Sequence, residues 1–193
     1  MSQTTNFIVS EESISALPEY SRIPMALEVT DVLEVSVESE GLGGIRMSER
    51  RLDAPYIKDY DAVDGPTHWP AVFDTSNWQL FAARFGDKRV GGAALAFDTS
   101  GLIMLEGRKD LAVLWDIRVS PDYQRHGVGT ALFLAAENWS RAWGCRELKI
   151  ETQNINVPAC RFYLKQGCVL GGINRFAYRE FPDEVQLLWY KDL

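Results

Sequence analysis

Residues 111–144 read LAVLWDIRVS PDYQRHGVGT ALFLAAENWS RAWG, and three local patterns succeed one another within them. Leu111 to Val119 is an apolar run stopped by Pro121, which reads as a strand. Beyond it Val128, Leu132, Ala135, Trp139 and Ala142 recur at spacings of three and four, and Gly144 stands where a helix C-cap belongs. Between strand and helix lies Gln124-Arg125-His126-Gly127-Val128-Gly129-Thr130. Glycines there let the backbone approach a ligand, and the first-turn N–H groups, reinforced by the helix dipole, make an anion site suited to phosphate. The spacing is neither the Gly-x-Gly-x-x-Gly of dinucleotide folds nor the Gly-x4-Gly-Lys of P-loops, so neither of those readings has its motif. A plain structural turn is the alternative for this loop.

Working outward, Leu148 and Ile150 alternate with Glu147, Lys149 and Glu151 as a short strand, and Pro158 to Gln166 reads as a second helix stopped at Gly167. Strand, helix, strand, helix in succession implies one parallel crossover in an otherwise antiparallel sheet. Upstream, Trp78 to Phe85 and Arg89 to Phe97 flank Gly86-Asp87-Lys88 as a hairpin, and Ala26 to Glu38 reads as the first strand. Asp53 to Asp64 predicts a short helix with Tyr56, Tyr60 and Val63 on one face, ended by Gly65-Pro66. Cys168 to Leu170 and Val185 to Tyr190 supply the last strands. Residues 1–25, polar and broken by Pro18 and Pro24, predict a loosely packed leader, and residues 26–193 a single domain.

The chain has 193 residues, 46% hydrophobic and 24% charged, the composition of a globular protein with a real core. No window approaches a membrane span and no basic-apolar leader opens the chain, so a cytoplasmic protein without membrane contact is expected. Cys145, Cys160 and Cys168 form no Cys-x-x-Cys pair, and His68 and His126 are the only histidines. A disulfide framework, structural zinc and a histidine metal cluster are therefore not expected. A net charge of −7 argues against nucleic acid. Residues 1–110 carry 18 acidic and 10 basic side chains, a balance of −8, and residues 111–193 carry 9 and 10, a balance of +1. Two ligand faces of different character follow.

The loop resembles the pyrophosphate loop of the GCN5-related N-acetyltransferase (GNAT) superfamily, Gln/Arg-x-x-Gly-x-Gly/Ala, with Gln124, Gly127 and Gly129 in the matching places. A second block, Glu151-Thr-Gln-Asn-Ile-Asn156-Val-Pro-Ala159-Cys-Arg-Phe-Tyr163-Leu-Lys-Gln-Gly167, is similar to the family's Asn-x-x-Ala-x-x-x-Tyr-x-x-x-Gly segment in order and distance. Together with Trp115-Asp116-Ile117, Ala54-Pro55-Tyr56-Ile57-Lys58 and Leu188-Trp189-Tyr190, this block is most similar to the streptothricin acetyltransferases. The resemblance implies a mixed α/β (α+β) fold, a mostly antiparallel splayed sheet of about six or seven strands with helices on both faces. It implies acetyl transfer from acetyl-CoA to a primary amine of a small cationic acceptor such as a streptothricin-like antibiotic. A polyamine or protein amine is the alternative acceptor, and a noncatalytic acetyl-CoA sensor the alternative function. Dimers are common in the superfamily, and no feature of this sequence selects one.

Carried over residue by residue, the resemblance places coenzyme A against Gln124, Arg125, His126, Gly127, Val128, Gly129 and Thr130, with the pantetheine arm along the backbone of Ile117 and Val119 and beside Asn156. The amide at Ile117 also polarises the thioester carbonyl, as in an oxyanion site, and Tyr163 protonates the departing thiolate. An alkylamine with a pKa near ~10.4 is neutral in only about one molecule in a thousand at pH 7, so a proton acceptor is needed. Glu151 is the favoured base, with Asp116, or either acting through water, as the alternative. Each has a plainer reading: Glu151 as a solvated strand residue, Tyr163 as a packed aromatic, His126 as an exposed loop residue. The acceptor pocket is expected from the N-terminal half, where Glu28, Asp31, Glu34, Asp59, Asp61 and Asp64 accumulate beside Tyr56, Tyr60, Trp69 and Trp78, a surface that would draw a polycationic amine.

Overall fold

The structure is a computed structural model that describes residues 7–62 and 65–193. In chain order its strands are β1 (Ile8–Glu12), β2 (Ala26–Glu38), β3 (Gly44–Asp59), β4 (Gln79–Phe85), β5 (Lys88–Phe97), β6 (Leu111–Val119), β7 (Glu147–Gln153), β8 (Val169–Asn174) and β9 (Gln186–Asp192). Its α-helices are α1 (Leu17–Tyr20), α2 (Trp69–Val72), α3 (Val128–Ala142) and α4 (Val157–Lys165). Two compact units divide the chain, the first of residues 1–25, 60–150 and 191–193, the second of residues 26–59 and 151–190.

In the first unit the strand order is β1-β4-β5-β6-β7, antiparallel except where β6 and β7 run parallel. The single parallel pair is the one that the strand-helix-strand pattern predicts, with α3 as the crossover. β5 is buried along most of its length, as suits a strand covered on both faces. Its Gly91-Gly92 pair explains how. A Cβ on Gly91 would lie 2.8 Å from Val128 Cγ1 of α3, and one on Gly92 would lie 2.6 Å from Tyr20 Cε2 of α1. Successive strand residues face opposite ways, so α3 lies tight on one face and Tyr20 on the other.

α3 buries Val128, Leu132, Phe133, Ala136 and Trp139, so the stripe follows Ala136 where the spacing suggested Ala135 and Ala142. The helix closes at Gly144, with Cys145 N–H donating to Ser140 O at 3.0 Å. Residues 8–25 are not the loose leader expected from their polarity. β1 pairs with β4 from Ile8↔Arg84 to Glu12↔Leu80, and Leu17, Tyr20 and Ile23 are buried. Trp69 and Trp78, read as acceptor-stacking aromatics, belong to this unit's core. They pack with Phe73 and Trp115 at ring-centroid distances of 5.3 to 6.5 Å.

The second unit holds the β2-β3 hairpin, α4, and the order β7-β9-β8, where β7 enters at Glu151. Counted along both units the sheet has seven strands, mostly antiparallel. Residues 53–59 are strand, not helix, and pair with β2 as far as Ala26↔Asp59. The ladder jumps from Val29↔Tyr56 to Asp31↔Arg51, and the irregularity absorbs Pro55, whose missing N–H would interrupt a regular ladder. Val63 and Asp64 lie outside the described residues. Val29, Val32 and Ile155 form this unit's core, with Leu27 and Leu52 against them.

Candidate active site

Strand β6 changes character halfway. Its parallel ladder with β7 ends at Leu114↔Ile150, while its antiparallel ladder with β5 runs on to Val119↔Gly91. A bulge places Trp115 between Ala94↔Asp116 and Leu95↔Leu114. Residues 111–114 are buried, whereas Trp115, Asp116, Ile117 and Val119 are only partly buried. A bulge adds local twist and re-aims side chains, and the β6–β7 ladder goes no further than Leu114↔Ile150.

Val119 leads through a 3-10 turn, Pro121–Tyr123, into the loop. Arg125 and Gly127 have left-handed backbones, φ +62° and +84°, and His126 Nδ1 lies 2.8 Å from Gln124 O. Gly127 is the N-cap of α3 with no side-chain cap, and the first helical bond is Ala131 N–H to Gly127 O at 3.0 Å. The amides of Val128 and Gly129 thus start the helix without an intrahelical acceptor, and nothing stands within 4 Å of where a Gly127 Cβ would be. Gln124 through Gly127 are exposed. An uncapped helix start, open above a left-handed glycine, fits a pyrophosphate.

Asp116 is committed to partners in the first unit. Oδ1 accepts from Tyr20 Oη at 2.5 Å and from Arg118 Nε at 3.0 Å, and Oδ2 from Arg118 Nη2 at 2.6 Å. Arg118 is 3% exposed and also donates to Ile23 O and to Asp61. Burial opposes its charge, but the bonds to Asp116 and Asp61 outweigh burial and hold the guanidinium protonated. Burial first, then the Asp116 charge, pushes the Tyr20 hydroxyl well above the ordinary phenol range.

In the second unit Glu151 meets a different environment. Its Oε1 accepts from Tyr178 Oη at 2.6 Å and its Oε2 from Gln186 Nε2 at 2.8 Å. Both donors are neutral. Gln153 Nε2 in turn donates to Tyr178 Oη at 3.1 Å, and burial, followed by the Glu151 charge, raises the Tyr178 hydroxyl far above its ordinary value. Asn156 caps α4, its Oδ1 accepting from Ala159 N–H at 3.1 Å. Tyr163, on the same helix, is 6% exposed and packs edge-on against Phe162.

The second unit also holds a cleft of about 1170 Å³. Glu34, Arg50 and Tyr56 line it from the hairpin, Tyr178, Arg179 and Asp183 from the segment between β8 and β9. Of the acidic and aromatic positions expected at the acceptor, Glu34 and Tyr56 are in this cleft, while Asp31 pairs with Arg51 and Asp61 with Arg118. Tyr56 is raised by burial and then by the charges of Glu184 and Asp183. Glu184 is itself paired with Lys58 at 2.6 Å. Each site position therefore falls within one unit: Asp116, Ile117, Val119 and Gln124 to Thr130 in the first, Glu151, Asn156 and Tyr163 in the second. Sequence reading missed Arg118, Tyr178 and Gln186. Of the two around Glu151, Tyr178 lies where no element is read from the sequence, and Gln186 lies in the last strand, where no local signal marks it as a partner of Glu151.

Among the described residues no group of three or more His, Cys, Asp or Glu could hold a metal ion, and no helix is long and apolar enough to cross a membrane. The family model described as Acetyltransferase (GNAT) family matches residues 46–168. A streptothricin acetyltransferase of Escherichia coli is 30% identical over 185 residues, covering 92% of this chain and 94% of the relative. Streptothricin acetyltransferase A of Bacillus subtilis (strain 168) is 29% identical over 145 residues, 74% and 77% of the two chains. Among solved structures, nourseothricin acetyltransferase superposes with a TM-score of 0.76 at 21% identity, covering 96% of this chain and 98% of that one. A Bacillus anthracis str. Ames protein in complex with acetyl coenzyme A gives 0.74 at 24%, covering 99% of each.

Proposed function

Because the chain belongs to the acetyltransferase (GNAT) family, we propose that it moves the acetyl group of acetyl-CoA onto a primary amine of a streptothricin-like, cationic acceptor. It is an N-acetyltransferase; the acceptor and the roles below are the proposal. The observation that carries the donor side is β6 running five residues past its last pairing with β7 into the uncapped start of α3. Bound acetyl-CoA supplies an activated acyl thioester. The amides of Gly127, Val128, Gly129 and Thr130 hold its pyrophosphate, with Gln124, Arg125 and His126 beside them. The backbone of Ile117 and Val119 pairs with the pantetheine arm, as an added strand does, and Asn156 contributes a side-chain amide.

Proton handling separates the two carboxylates. Asp116 has its oxygens occupied by a buried guanidinium and a phenol, so it serves as a brace for β6. Glu151 is held by neutral donors only, and among the described residues no ion-pair partner faces it. It receives the amine proton, directly or through water. Tyr163 gives a proton to the leaving thiolate. On the acceptor side the relatives' names and the excess of acidic over basic side chains, 27 to 20, support a polycation, which such a protein attracts.

The test is acetyl transfer by the purified protein with streptothricin, spermidine or free lysine as acceptor, read by product mass. One acetyl group gained by streptothricin, with no product from the other two, is expected. Acetylation of spermidine or lysine alone would reassign the acceptor, and no product with any amine from a folded, acetyl-CoA-binding protein would overturn the catalytic reading.

A further inference from the structure

Among the described residues, Tyr178 is the one that both lines the cleft and bonds Glu151. It lines the cleft together with Arg175, Phe176 and Arg179, and its hydroxyl lies 2.6 Å from Glu151 Oε1. A phenol rotates freely about its C–O bond, so which way it donates is set by its other partner. Here Gln153 Nε2, which can only donate, approaches the same oxygen at 3.1 Å, leaving the phenolic proton for Glu151. Gln186 Nε2 fixes the second carboxylate oxygen at 2.8 Å. Two neutral side chains, Tyr178 from the connection before β9 and Gln186 from β9, thus hold one carboxylate, and Gln153 of β7 holds the first of them. The hairpin core of Val29, Val32 and Ile155 does not include Tyr178, and a structural carboxylate elsewhere in this chain, Asp116, is held by an arginine.

We propose that Tyr178 is a positioning residue for the acetyl transfer, fixing the Glu151 carboxylate so that an amine seated in the cleft meets a base already oriented. This rests on the reading of Glu151 as base. Tyr178 itself neither gains nor loses a proton in the reaction; the burial that raises its hydroxyl keeps it a donor throughout the catalytic pH range. Its ring meets the acceptor and its hydroxyl meets the base, so removing the hydroxyl alone leaves the cleft wall in place.

The experiment is a cycle of Tyr178→Phe, Glu151→Gln and the double variant, with kcat and both KM values measured on streptothricin. Tyr178→Phe is expected to lower kcat about tenfold, the scale of one hydrogen bond to a charged group, with each KM within about twofold of the parent. In the Glu151→Gln background the same change is expected to cost less than about twofold, because the group it positions is gone. An equal loss in both backgrounds, or a parental kcat for Tyr178→Phe, would overturn the positioning role while leaving Glu151 as base. A parental kcat for Glu151→Gln would instead remove the base reading and this inference with it. If Tyr178→Phe fails to fold, Gln153→Leu carries the test. It keeps Tyr178 but frees its hydroxyl to rotate, and a kcat lowered about threefold with the same loss of effect in Glu151→Gln is expected; a parental kcat would overturn the proposal.

Discussion

Two carboxylates of one chain are held by opposite kinds of partner, and the proposal gives them different work. Glu151, ringed by a phenol and an amide, is the group whose neutralisation should stop proton transfer, and Glu151→Gln is expected to lower kcat by about a hundredfold or more. Asp116→Asn should show itself in stability instead, since it leaves the buried Arg118 guanidinium short of a counter-charge. Breaking such a pair costs on the order of 3 kcal/mol, visible as a lower urea midpoint. A midpoint equal to the parent's would mean the network is not a brace. The cysteines bear on mechanism as well. Burial, and for Cys145 the charge of Asp110 after it, pushes the Cys145 thiol up to about 11, and burial pushes Cys160 up to about 12. At pH 8 both are therefore protonated, so neither is a ready acetyl carrier, and both should resist iodoacetamide in the native protein while reacting once it is unfolded. Rapid native alkylation of either would contradict this.

At the scale of elements, the sequence made the centre of the first unit readable because its signals are local. Apolar run, glycine turn and 3.6-residue periodicity from Leu111 to Gly144 are each decided by residues a few positions apart, and β6, the loop and α3 lie where those signals put them. What failed was decided at long range. Tyr56 and Tyr60 have helical spacing, but residues 53–59 are held by β2, more than twenty positions away. Polar β1 becomes a strand only because β4 offers it an edge. The same holds for the site: the glycine loop is legible, whereas the donors to Glu151 come from residues 178 and 186, 27 and 35 positions on. Two substitutions test the elements. Gly127→Ala meets no neighbour but forces a Cβ residue into φ +84°, a cost of roughly 1–2 kcal/mol that should raise the acetyl-CoA KM about tenfold and leave the acceptor KM alone. Gly92→Ala, by contrast, drives a methyl group into the Tyr20 ring and to 2.9 Å from Phe81 O, and should destabilise the fold by about 1–3 kcal/mol without a selective effect on either substrate.

Across the whole molecule, the net charge of −7 is the sum of −8 on residues 1–110 and +1 on residues 111–193. A polycationic acceptor would be gathered by that charge before it docks, so kcat/KM for streptothricin should fall roughly threefold or more as ionic strength rises from about 0.02 to 0.3 M, and kcat should hold. A kcat/KM indifferent to salt would place recognition in short-range contacts alone. In the proposed reaction the acetyl group passes directly from bound acetyl-CoA to the amine, with Glu151 receiving the proton and no acylated side chain between. The initial rate of thiol release with both substrates varied, alongside the mass of the protein quenched during turnover, decides it. Intersecting double-reciprocal lines and an unmodified protein are expected; parallel lines with a protein heavier by one acetyl group, formed and consumed at the rate of turnover, would contradict it.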